Sequence, residues 1–94
     1  MNRDEIHFDL LRRLEKNPSY TQRELSKEMG ISLGKTNYCI QKLVEKGLVK
    51  LKNFSKNKNK VSYYYLITPK GIEEKGRLTF TFLRLKMEEF ETLK

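Results

Sequence analysis

Between Thr21 and Gly47 the chain carries two sets of helix start and stop signals, and only Ile31 separates the end of the first from the start of the second. Thr21-Gln22-Arg23-Glu24 fits a capping box. The Thr21 hydroxyl can accept from the amide of Glu24, and the Glu24 side chain can reach back to the amide of Thr21. A short helix follows, with Leu25 and Met29 inward, and Gly30 can supply the left-handed residue that closes it. Ser32 is a good N-cap for a longer helix over residues 33–46, which Gly47 ends. Its core stripe is Thr36, Ile40 and Leu43, flanked by Leu33 and Val44. Two short helices joined by a tight glycine-bearing turn are a helix-turn-helix pattern.

The flanking segments fit that centre. Ile6, Leu10, Leu11 and Leu14 recur at helical spacing beside Phe8, with Arg12, Arg13, Glu15 and Lys16 on the other side. They predict a first helix over residues 3–16, ended by Asn17-Pro18-Ser19, because proline lacks an amide donor and pushes its predecessor out of helical geometry. After Gly47, Val49 to Lys52 alternates apolar and polar, and Val61 to Ile67 is rich in β-branched and aromatic residues. These read as two strands joined by a long polar tip, Asn53 to Lys60. A β-hairpin placed straight after a helix-turn-helix is a wing. Thr68-Pro69 opens a last helix, threonine as N-cap and proline at the first helical position. The expected fold is therefore mainly α with a small β-hairpin (α+β). Residues 1–70 form a winged helix-turn-helix DNA-binding domain and residues 71–94 a C-terminal dimerisation helix.

Net charge is +8, and its placement says more than its size. Residues 1–45 carry eight Lys/Arg against seven Asp/Glu, and residues 71–94 carry five against five. Residues 46–70 carry seven lysines and no acid, so nearly the whole excess lies there. A patch of this kind suits a polyanion. Its neighbours indicate which one. The core stripe of the third helix turns Gly34, Lys35, Tyr38, Gln41 and Lys42 outward, with Asn37 at the edge. Lysine can donate to guanine or phosphate, and asparagine can pair bidentately with adenine N6 and N7. Tyrosine can bond a phosphate or pack on a thymine methyl. Gly34 lets backbones approach, and Ser32 with the free amides of the first turn favours a phosphate. On the wing, Lys56, Lys58 and Lys60 are the expected backbone contacts, with Lys50 and Lys52 leading in. Together these residues predict sequence-selective binding of double-stranded DNA.

Other chemistries find little support. The longest apolar runs are too short to span a membrane, and no secretory signal is visible at the N-terminus. The single Cys39 makes no internal disulfide, so a cytoplasmic location is expected. His7 and Cys39 are the only residues of their kinds and no carboxylate cluster joins them, so no metal or other cofactor and no enzymatic activity are expected. Gly34-Lys35-Thr36 looks like the end of a phosphate-binding loop, but Gly30 is one residue too close and no strand precedes it.

The stretch from Thr21 to Ser32, with Lys42-Leu43-Val44-Glu45-Lys46-Gly47-Leu48-Val49, resembles the helix-turn-helix core of MarR-type winged-helix transcription regulators. Ser32 to Cys39, with Tyr64 to Gly71 and Arg77-Leu78-Thr79 onward, resembles a short bacterial branch associated with exopolysaccharide gene clusters. The resemblance implies a regulator whose third helix reads a major groove and whose wing touches the adjacent backbone or minor groove. Larger members flank this core with long helices that build a dimer and a small-molecule pocket. Here the first helix is short and a single helix follows the wing, so no small-molecule ligand is expected. The lysines of this wing, where the wider family often has arginine, favour backbone contact over groove reading.

Two further functions compete. A winged helix can serve as a protein–protein interaction adaptor without DNA readout, but its exposed face would then be apolar or acidic, whereas here it is lysine, asparagine and tyrosine. Single-strand or RNA binding through Tyr63, Tyr64 and Tyr65 is weaker, because successive strand residues alternate faces. Finally, Leu78, Phe80, Phe82, Leu83, Leu85, Met87, Phe90 and Leu93 cover roughly 220° of the last helix at about 100° per residue. One small core needs only a little over about 100°. The surplus, along Phe80-Leu83-Met87-Phe90, predicts a homodimer.

Overall fold

A computed structural model describes residues 2–57 and 60–92; for 53–57 and 60–63 the description is of the backbone. The order is α1 (Arg3–Lys16), α2 (Gln22–Met29), α3 (Leu33–Glu45), β1 (Val49–Asn57), β2 (Lys60–Ile67) and α4 (Pro69–Thr92). The caps fall where the sequence puts them. Ser32 Oγ accepts from the Lys35 amide at 3.0 Å. Gly30 takes φ 67°, and the amide of Ile31 closes back onto the Ser26 carbonyl at 3.1 Å. Thr21 Oγ1 accepts from the Glu24 amide at 3.1 Å as expected. The return bond differs: the Glu24 carboxylate takes the proton of the Thr21 hydroxyl, at 3.1 Å, in place of its amide. One hydroxyl thus serves as both acceptor and donor, which is within its capacity.

Ile6, Leu10, Leu11 and Leu14 of α1 meet Leu25 and Met29 of α2, Cys39, Ile40 and Leu43 of α3, and Leu48, Val49 and Leu78 in one core. Arg13 fastens α1 to α2, donating to Asp9 at 3.1 Å and to Glu28 at 2.7 Å. The Glu15–Lys75 ion pair ties α1 to α4. Thr68 locks α4 to the turn after α3: its amide and hydroxyl donate to the carbonyls of Leu48 and Gly47, at 3.0 and 2.7 Å. The same hydroxyl accepts from the Gly71 amide at 3.0 Å. Gly71 is there because a Cβ would lie 2.1 Å from the Leu48 carbonyl oxygen.

The hairpin departs from expectation. Residues 53–57 and Lys60, expected as part of a long polar tip, continue the ladder, with Asn53 opposite Tyr63, Ser55 opposite Val61 and an irregularity between Ser55 and Asn57. Antiparallel pairing is made by backbone groups, so a run of lysine and asparagine can extend it without a buried face. Leu33 and Val44 also depart, being exposed rather than packed. At about 100° per residue both lie beyond the rim of the Thr36–Cys39–Ile40–Leu43 stripe.

Only the first part of α4 reaches the core. Leu78 is buried, and Phe82 meets Phe8 edge to face with ring centres 5.4 Å apart. Beyond Phe82 the helix projects, and the molecule measures 61 × 27 × 21 Å. Its radius of gyration of 15.3 Å exceeds the roughly 12 Å of a compact chain this long.

Candidate nucleic-acid interface

The inward face of α3 is Thr36, Cys39, Ile40 and Leu43, all buried. The Thr36 hydroxyl is satisfied by the Ser32 carbonyl at 2.9 Å. This anchors α3 and turns a polar face outward. Ser32, Gly34, Lys35, Tyr38 and Gln41 are exposed, while Asn37 and Lys42 are half-buried on its two flanks. Around Gly34 an added Cβ would meet nothing within 4 Å, so its surface is open to a ligand. The Lys42 ammonium sits 5.5 Å from the Tyr38 ring centre and 3.3 Å from a Glu45 oxygen. It is held along the helix surface, whereas Lys35 stands at the exposed first turn beside the serine cap.

Asn37 is less free than its sequence position suggested. Its Oδ1 accepts from Gln22 Nε2 at 3.2 Å, and the same nitrogen donates to the Tyr65 hydroxyl at 2.9 Å. Gln22 therefore joins α2, α3 and β2 at one point. Sequence reasoning passed over Gln22, whose only visible role was a place in the capping box. Its partners lie 15 and 43 residues away, and no local spacing signals such contacts.

The root of the wing is fixed beside α3. The Tyr65 amide donates to the Pro18 carbonyl at 3.3 Å, tying β2 to the connection between α1 and α2. Tyr65 is half-buried against the core, which removes it from any stacking platform. Lys50 and Lys52 are exposed on β1. Lys58 and the side chains of Lys56 and Lys60 lie outside the described residues.

The remaining reactive groups face inward. Cys39 is buried, and burial pushes its thiol pKa up, which disfavours the thiolate. His7 is buried too, in a cleft of about 280 Å³ that Lys46, Glu74 and Arg77 help to line. Among the described residues no group of His, Cys, Asp and Glu could hold a metal, and no helix is long and apolar enough to cross a membrane.

Residues 3–50 match a family described as winged helix-turn-helix DNA-binding. None of the curated proteins matches the chain. Among solved structures, the transcriptional regulator BldR from Sulfolobus solfataricus is similar over 93% of this chain and 60% of that one, with 22% identity and a TM-score of 0.78. A MarR transcriptional regulator from Methanosarcina mazei Go1 is similar over 92% and 60%, with 28% identity and a TM-score of 0.71. A mutant of Staphylococcus aureus MepR bound to an oligodeoxyribonucleotide is similar over 100% and 66%, with 15% identity and a TM-score of 0.72. The chain shares the fold of these regulators and spans about 60% of the length of the first two.

Proposed function

The chain belongs to the winged helix-turn-helix DNA-binding family, and from that we propose that it is a sequence-selective regulator of transcription that binds double-stranded DNA. The observation that carries this reading is the exposed polar face of α3 beside a hairpin whose segment holds lysines and no acid. In this reading α3 enters the major groove. Ser32 and the first-turn amides take a phosphate, Gly34 allows close approach, and Lys35, Asn37, Tyr38, Gln41 and Lys42 face base edges or the adjoining backbone. Lys56, Lys58 and Lys60 lie along the neighbouring backbone or minor groove. The oligonucleotide-bound MepR mutant supports the choice of partner. The adaptor reading is disfavoured because the face is cationic and polar.

The exposed line Phe80, Leu83, Met87 and Phe90 of α4 supports a homodimer through that helix, which would set two recognition helices in a two-fold arrangement. Selection of bound sites from random duplex DNA tests the functional reading. The expected result is an enriched motif with two related half-sites about one helical turn apart, or a multiple of it. A pool that shows no enrichment would leave the adaptor reading in its place.

A further inference from the structure

We propose that Gln22, acting through Asn37, makes α3 select a keto base over an amino base at one position of the major groove; the inference rests on the DNA-reading role above. Gln22 Nε2 donates to Asn37 Oδ1 at 3.2 Å and to the Tyr65 hydroxyl at 2.9 Å. A side-chain amide nitrogen has two hydrogens, so both are engaged and Gln22 is set as a donor toward Asn37. Gln41 Nε2 lies 3.5 Å from the same Oδ1, at the outer limit of hydrogen bonding. Two amide nitrogens are thus gathered on the one acceptor that Asn37 owns. The group left for a ligand is Nδ2, which only donates.

That asymmetry decides which base fits. Bidentate pairing with adenine needs Oδ1 to accept from N6 while Nδ2 donates to N7. With Oδ1 engaged, only the donating half remains. Guanine offers O6 and N7, and thymine offers O4, all acceptors that suit Nδ2. Adenine N6 and cytosine N4 are donors and oppose it; N7 is common to both purines, so the choice between them is made where Nδ2 faces the C6 substituent. Gln22 is a positioning residue in this proposal, since it acts through its hydrogen bond to Asn37.

The test is base preference, read by selection from random duplexes followed by affinity measurements on the selected site. Asn37→Ala identifies the position concerned, where a preference of about tenfold for guanine or thymine should disappear. Gln22→Glu offers Asn37 acceptors alone. The amide then turns Nδ2 inward and Oδ1 to the groove, and the preferred base becomes adenine or cytosine. Gln22→Ala, which frees Oδ1 without adding charge, should relax the preference. Tyr65→Phe removes the other partner of Gln22 and should leave it intact. Circular dichroism establishes that each variant is folded. Three results would overturn the inference: an amino base preferred by the wild type, a preference unmoved by both Gln22 variants, or no position sensitive to Asn37→Ala. Failure of the wild type to enrich any sequence would instead remove the DNA-reading role itself.

Discussion

At Gly34 the free protein and the proposed complex make opposite demands. Alanine has the higher helix propensity, and an added Cβ would meet nothing within 4 Å. Gly34→Ala should therefore raise stability by up to about 1 kcal/mol. If a DNA strand approaches that backbone, the same methyl should weaken binding. Thermal unfolding and duplex titration on one sample separate the effects; a gain in both would mean that no strand comes close. His7 gives a second prediction at this scale. The residue is 5% exposed and its Nε2 has no hydrogen-bond partner. Burial first, then Lys46 and Arg3, lower its pKa from the ordinary 6.5, against the opposing pull of Asp4 and Glu74. The unfolded chain therefore binds a proton that the folded one does not. The stability due to the neutral ring is full above about pH 6.5 and is lost as pH falls below it. Denaturant titrations across that range should show the loss, and His7→Leu should flatten it; an identical acid limb in both proteins would exonerate His7. The burial of Leu10 or Ile40 was legible from spacing alone. The turning of Asn37 onto Gln22 was not, because tertiary contact rather than helical period decides an edge position.

At the scale of elements, the helices were the most legible parts, since each boundary rests on a chemical signal in one or two residues. Thr21, Gly30, Ser32 and Thr68 all act as read. The wing was the least legible. The polar residues of 53–57 and Lys60 carry no burial pattern, so their place in a ladder depends on backbone pairing that side-chain alternation does not report. The function proposed for the wing remains testable whatever its length. Replacing Lys56, Lys58 and Lys60 with alanine should weaken all duplexes alike. It should also reduce the slope of log affinity against log salt by up to about 3, roughly one unit per phosphate contact. Titrations at several salt concentrations measure it, and an unchanged slope would take the wing off the DNA.

At the scale of the whole molecule, the question is what α4 is for beyond Phe82. Leu78 and Phe82 face the core, and at about 100° per residue Phe80, Leu83, Met87 and Phe90 fall within about 80° on the far side. These four are 58–69% exposed. The sequence showed that the apolar arc was too wide for one core, and the structure separates its core-facing share from the rest. Leu93 lies outside the described residues. A second copy pairing along this line would bury the exposed share. Sedimentation equilibrium at micromolar concentration should give a dimer, and the Leu83→Glu, Met87→Glu double variant a folded monomer. A wild-type monomer would remove the expectation of paired half-sites. The central claim, that the outer face of α3 reads sequence, is tested most directly by one ratio: affinity for the selected duplex over affinity for a scrambled one at physiological salt. The wild type should give a ratio of about 10³ or more, and the combined Lys35→Ala, Asn37→Ala, Tyr38→Ala, Gln41→Ala variant should bring it close to one while leaving affinity for scrambled DNA largely in place. A wild-type ratio near one, or a high ratio that survives in the variant, would contradict the account.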